Sequence, residues 1–233
     1  MYVILPFEKA FYENLGYAVT FVGHPLLDAI ANTKTKDFTS FCAENQLEKD
    51  RPIIALLPGS RKQEVDKMLG VMLSMVPHFP NYQFVIAGAP SLPNAFYQKF
   101  LDGKNVFFVS NQTYSLLSHA YAALVTSGTA TLETALFKVP QVVCYKGNWI
   151  SYQIAKRIIT LDYISLVNLI MDKEVVKELI QSNLTPKNLK SELSKILSGN
   201  TRENVFQDYE TLIKKLGGPG ASEKTAQLIV QNM

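Results

Sequence analysis

Cysteine is nearly absent. The two present, Cys42 and Cys144, lie far apart, and neither sits at a metal-ligand spacing. They read as buried thiols of a reducing compartment, which excludes a disulfide-stapled secreted scaffold. Histidine is almost as scarce: His24, His78 and His119 are scattered, and none pairs with a cysteine or carboxylate as a metal site requires. No metal site is expected. Nowhere do about 18 apolar residues follow one another, so no membrane-spanning helix is expected, and Pro6 with Glu8 cuts the apolar start too short for a signal peptide. A cytoplasmic protein is expected. The sequence also lacks a G-x-G-x-x-G fingerprint, a Walker loop, a Ser-His-Asp order, internal repeats and low-complexity segments. An excess of one charge is missing too. A net charge of +3 over 233 residues supplies no dense basic stripe for nucleic acid, although it suits anionic sugar phosphates or an anionic membrane surface.

What remains is an ordinary globular composition, 47% apolar and 18% charged, with enough material for a full core. From Pro52 onward, strand and helix patterns alternate. Strands are predicted at Ile53 to Leu57, Gln83 to Ala87, Val106 to Val109, Ala122 to Val125 and Gln141 to Tyr145. This rhythm predicts an α/β fold with a Rossmann-like, mostly parallel sheet and helices on both faces. After the first of these strands, Val65, Met68, Leu69, Met72, Leu73 and Val76 recur at helical spacing, with Ser60 and Gln63 suiting a capping box. The methionines there are core, not a cofactor box. Helices are predicted at Trp149 to Ile159, Lys173 to Gln181, Pro186 to Leu197, Arg202 to Leu216 and Ser222 to Gln231. At the other end, Tyr2 to Leu5 and Ala18 to Val22 read as strands flanking a short helix, Phe7 to Leu15. A polar linker, residues 32–37, follows. Buried parallel strands need neighbours, so residues 1–27 are expected to be the remnant of a preceding domain and residues 28–233 a second domain.

Two strand ends carry the chemistry. The apolar run Leu124-Val-Thr ends in the small turn Ser127-Gly128-Thr129 and enters a helix bearing Glu133. Small side chains let a ligand approach the backbone, a helix start offers unpaired N–H groups to phosphate, and a carboxylate can accept from ribose hydroxyls. The strand from Ile53 ends in Pro58-Gly59-Ser60-Arg61, where a guanidinium fork can hold a pyrophosphate and offset charge on a departing nucleotide. Together the turns point to a sugar nucleotide. The plainer alternatives stay open: Arg61 as a surface arginine beside a capped helix, and Glu133 as a solvated glutamate stabilised by the macrodipole. Asn168, inside the apolar run Ser165 to Ile170, needs a partner, either backbone or ligand. Trp149, Ile150, Tyr152, Lys156 and Arg157 mix aromatics and cations as a packed helix or an interfacial one would.

Five segments in order, Ile4 to Tyr12, Phe21 to Asp28, Leu56 to Arg61, Thr126 to Glu133 and Asp162 to Leu169, closely resemble the lipid-A-disaccharide synthases over nearly the whole chain. The resemblance implies an inverting glycosyltransferase of GT-B architecture, two Rossmann-like domains facing across a cleft. It would transfer 2,3-diacylglucosamine from UDP to 2,3-diacylglucosamine 1-phosphate. This chain would be the C-terminal, donor-binding half, with the acceptor pocket and base in the other half. By that resemblance Arg61, Gly59 and Ser60 face the diphosphate, Ser127, Gly128, Thr129 and Glu133 hold the phosphate and ribose side, and Asn168 lines the cleft. The UDP-sugar is substrate and no cofactor is implied. Peripheral contact with the inner membrane follows from the acylated substrates, and the surface around Trp149 is its candidate. Two other readings stand: a UDP-N-acetylglucosamine epimerase, and a non-catalytic nucleotide-binding module.

Overall fold

The computed structural model describes residues 1–147 and 162–231. In chain order, β1 (Tyr2–Val3), α1 (Pro6–Asn14) and β2 (Thr20–Phe21) form a two-stranded parallel unit with a helix between its strands. Helices α2 (Pro25–Ala31) and α3 (Phe38–Asn45) lead into the main layer. There follow β3 (Ile53–Leu57), α4 (Lys62–Leu73), β4 (Gln83–Gly88), α5 (Ala95–Leu101), β5 (Val106–Ser110), α6 (Thr113–His119), β6 (Ala120–Thr126), α7 (Thr129–Leu136) and β7 (Gln141–Tyr145). The remaining elements are α8 (Leu166–Met171), β8 (Lys177–Ile180), α9 (Pro186–Leu197), α10 (Gly199–Lys215) and α11 (Ala221–Gln231).

Six strands form one wholly parallel sheet in the order β5-β4-β3-β6-β7-β8. Strands β3 and β4 are buried at every position, which is why they read as unbroken apolar runs and not as alternating ones. Ile54 and Leu56 pack on the α4 side with Val65, Leu69, Met72, Leu189 and Leu193. Ile53, Ala55 and Leu57 pack on the other face with Phe41, Leu116 and Leu117. Each large side chain buried this way contributes roughly 1.5–3 kcal/mol. The α4 methionines Met68 and Met72 are core, as their spacing implied. Both cysteines are buried and free, Cys42 in one layer and Cys144 in the other.

The central pair sets the geometry of function. From β3 the chain adds β4 and β5 on one side, then returns to lay β6 against β3 and continues outward to β8. Strand order therefore reverses between β3 and β6, and in an open parallel sheet a crevice forms outside the carboxyl ends of the strands at such a point.

One expected element is corrected. The helix predicted at Lys173 to Gln181 is instead a loop followed by the edge strand β8, paired in register with β7 from Val142↔Lys177 to Tyr145↔Ile180. Asp172, in the left-handed conformation, ends α8, and the Asn168 side chain takes the next backbone groups away from any helix. The predicted helix at Trp149 to Ile159, with its candidate interfacial side chains, lies outside the described residues.

Candidate functional site

The two small-residue turns meet at the strand reversal. Leu57 and Val125 are paired neighbours in β3 and β6, so the turns after them open side by side. Between them lies a cavity of about 280 Å³ lined by Gly59, Ser60, Ser127, Gly128, Thr129 and Glu133, among others. Arg61 lines a second cavity of about 340 Å³, which shares Glu64 and Thr126 with the first.

The turns look alike in sequence but differ in what they offer. In the first, Glu64 Oε2 accepts from the backbone N–H groups of Ser60 and Arg61, both at 3.3 Å, and Glu64 Oε1 accepts from Arg61 Nη1 at 2.9 Å. The capping carboxylate is thus Glu64 in place of the expected Gln63, with Arg61 in the N-cap position. Gly59, at φ +107°, is held against this carboxylate, and a Cβ there would lie 2.8 Å from Glu64 Oε2. The helix start that follows is already filled by an anion of the protein's own. In the second turn no side chain among the described residues caps α7. Gly128 takes φ +146° and ψ −163°, a region essentially closed to other residues, with open space where a Cβ would stand. A phosphate would find donors and the positive end of the helix dipole at α7, not at α4.

Glu133 sits one turn into α7 and faces the first cavity. Its Oε1 accepts from the Tyr114 hydroxyl at 2.8 Å. Burial, followed by the hydrogen bond and charge of Glu133, raises the Tyr114 pKa, so the phenol stays a donor. That bond fixes one oxygen of Glu133, and Oε2 has no hydrogen-bond partner among the described residues. It can accept a ligand hydroxyl. Ser127 donates its hydroxyl to the Ile164 carbonyl at 3.0 Å, leaving its lone pairs and backbone for the cleft.

Asn168 is not brought to either cavity. It is fully buried, and its Oδ1 accepts from Val175 N at 2.8 Å and Val176 N at 2.9 Å. Its Nδ2 donates to the Val176 carbonyl at 2.8 Å and to Glu178 Oε1 at 2.9 Å. Of the two partners open to it, backbone is the one it has taken. Glu178 in turn accepts from the backbone N–H groups of Ile164 and Ser165, both at 2.9 Å. Asn168 therefore acts from behind the site, steadying the segment whose carbonyl receives Ser127. Tyr114, Glu64 and Glu178 carry no signal of this role in their sequence surroundings, apart from the three-residue step from Arg61 to Glu64 that a capping box would use.

The profile of the lipid-A-disaccharide synthetase family matches residues 1–232. The chain belongs to that family. A lipid-A-disaccharide synthase from Syntrophus aciditrophicus (strain SB) is 39% identical over 234 residues, covering 97% of this chain and 61% of the relative. One from Coxiella burnetii (strain CbuG_Q212) is 33% identical, covering 98% and 61%. This synthetase-family chain thus spans about three fifths of the length of the curated relatives it matches. Its fold is shared with UDP-GlcNAc 2-epimerase from Neisseria meningitidis bound to UDP-GlcNAc, with a TM-score of 0.69 at 14% identity, covering 99% of this chain and 61% of that one. It is also shared with the calicheamicin glycosyltransferase CalG4, with a TM-score of 0.58 at 18% identity, covering 97% and 51%. At such identities the likeness concerns fold alone.

Proposed function

We propose that this chain is the donor-binding part of a glycosyltransferase that moves 2,3-diacylglucosamine from UDP to 2,3-diacylglucosamine 1-phosphate, forming the lipid A disaccharide. The observation that carries the reading is the cleft at the strand reversal, where the uncapped start of α7 and the unpaired oxygen of Glu133 lie together in a chain of this family. The N–H groups after Gly128 would take a phosphate and Glu133 Oε2 a ribose hydroxyl, with Tyr114 holding that carboxylate in place. Gly59 and Ser60 form the opposite wall, and Arg61 approaches from the second cavity. Inversion requires attack opposite the departing UDP. These residues would stabilise the leaving diphosphate, while a base outside this part takes the acceptor proton.

The UDP-sugar enters as substrate, and the reading assigns no cofactor. A division between the β1–β2 unit and the six-stranded sheet belongs to the same proposal, supported by the separate β1–β2 sheet, although the expected boundary between residues 27 and 28 falls inside α2. Contact with the inner face of a membrane is part of it as well, because the substrates carry acyl chains. No helix among the described residues is long and apolar enough to cross one. A cytoplasmic location accords with the two free, buried thiols.

Calorimetric titration of UDP, with ADP as control, tests the reading on this chain and on Glu133→Ala. Selective UDP binding, weakened about tenfold or more by the substitution, is the expected result, the ordinary worth of a hydrogen bond to a charged group. Equal affinity for UDP in both proteins would remove Glu133 from the site.

A further inference from the structure

The second cavity has a character that the nucleotide cleft does not share. Among the described residues the first is lined by two carboxylates, Glu64 and Glu133, and by no cation. The second is lined by Arg61, Lys62, Lys67 and Lys146, with Glu64 as its lone carboxylate among the described residues. Arg61 is paired with Glu64, and Lys62 Nζ lies 5.8 Å from the centre of the Phe96 ring. Lys67 and Lys146 have no ion pair or hydrogen bond among the described residues. Like charges lining one cavity repel each other, and an anion between them relieves that cost.

A separate observation points into the same place. Thr126 ends β6, is only 5% exposed and borders both cavities, yet its Oγ1 has no hydrogen-bond partner among the described residues. A buried hydroxyl left unsatisfied is costly and uncommon in a folded protein. A ligand oxygen spanning the two cavities would satisfy it.

We propose that Lys67, Lys146 and Thr126 form an anion subsite for a phosphate group, distinct from the α7 start and Glu133. The proposal rests on the donor reading only for what occupies the neighbouring cleft. The phosphate has two possible sources, the diphosphate of the nucleotide reaching across Thr126, or the phosphate of the second substrate.

The test titrates uridine, UDP and glucosamine 1-phosphate, the last with and without saturating UDP, into the wild-type chain, a Lys67→Gln/Lys146→Gln double variant and Thr126→Val. If the subsite holds the diphosphate, UDP affinity falls about tenfold in the double variant while uridine affinity is unchanged. If it holds the second substrate, glucosamine 1-phosphate binds the wild type and is lost from the double variant. Thr126→Val should weaken the same ligand while leaving the melting temperature equal or higher, since it deletes an unsatisfied hydroxyl. UDP and glucosamine 1-phosphate affinities that are unaltered in both variants would overturn the subsite. Absence of uridine and UDP binding in every protein would count against the donor reading instead, and the glucosamine 1-phosphate titration would still decide the subsite.

Discussion

At the scale of single residues, Asn168 shows how a polar side chain in an apolar run can be spent wholly on partners within its own chain. Both ends of its amide are spent on the loop leading to β8 and on Glu178, and Glu178 holds the backbone of Ile164 and Ser165. Replacing Asn168 by alanine would leave the Val176 N–H and carbonyl without that partner, while Val175 N keeps the Lys173 carbonyl at 3.0 Å and Glu178 Oε1 keeps Ser165 N. The expected loss is on the order of 3 kcal/mol of unfolding free energy, larger than a surface substitution costs. Urea denaturation followed by circular dichroism measures it, and a loss below about 1 kcal/mol would show that water replaces the amide. The sequence announced that this asparagine needed a partner, because an amide among Leu166, Val167, Leu169 and Ile170 cannot stay unpaired. Which partner it takes depends on the path of the chain eight residues further on, and no local pattern encodes that. Glu133 and the Ser127-Gly128-Thr129 turn were legible because strand, turn and helix are contiguous there. Tyr114, nineteen residues earlier in the chain, meets Glu133 only through the packing of α6 beside α7.

At the scale of elements, the buried strands were readable and the edge strand was not. Strands β3, β4 and β7 are covered on both faces, so their apolar runs stand out. Strand β8 lies at the margin of the sheet with Lys177 and Glu178 partly in solvent, and its local preference is helical until pairing with β7 overrides it. Capping shows the same dependence on context. Helix α2 begins at His24, whose Nδ1 accepts from Leu26 N at 3.2 Å, an interaction open only to the neutral ring. Burial lowers the His24 pKa, and the Glu8 carboxylate opposes this only in part. Because the folded value lies below that of the unfolded chain, near 6.5, His24 stabilises the fold fully above about pH 6.5. That contribution is lost as pH falls through the folded value. Melting temperatures from pH 7.5 to 5 should therefore drop more steeply for the wild type than for His24→Asn, which keeps a capping oxygen that does not titrate. Parallel pH dependences in the two proteins would mean that protonation of His24 does not open the cap.

At the scale of the whole molecule, the decisive fact is topological. Both turns line one cavity only because β6 returns to lie against β3, a placement that an alternating pattern of strands and helices permits but does not dictate. Arg61 lines the second cavity and not the first, so in the reading proposed above it stands apart from the nucleoside. Its side chain is 82% exposed, reaches the second cavity and is held there by Glu64. In the proposed reading a guanidinium so placed would contribute little to gripping the nucleoside and would gain most from charge that builds up as the glycosidic bond breaks. In the complete transferase that we propose, Arg61→Ala should lower kcat by about 10²-fold, the scale seen when one preorganised donor to a developing anion is removed. The KM for the sugar nucleotide should change much less, because interactions made only in the transition state do not appear in ground-state binding. Steady-state kinetics at saturating acceptor separates the two parameters. A raised KM with kcat preserved would make Arg61 a binding residue of the ground state, and unchanged kinetics would leave it a surface arginine paired with a capping glutamate.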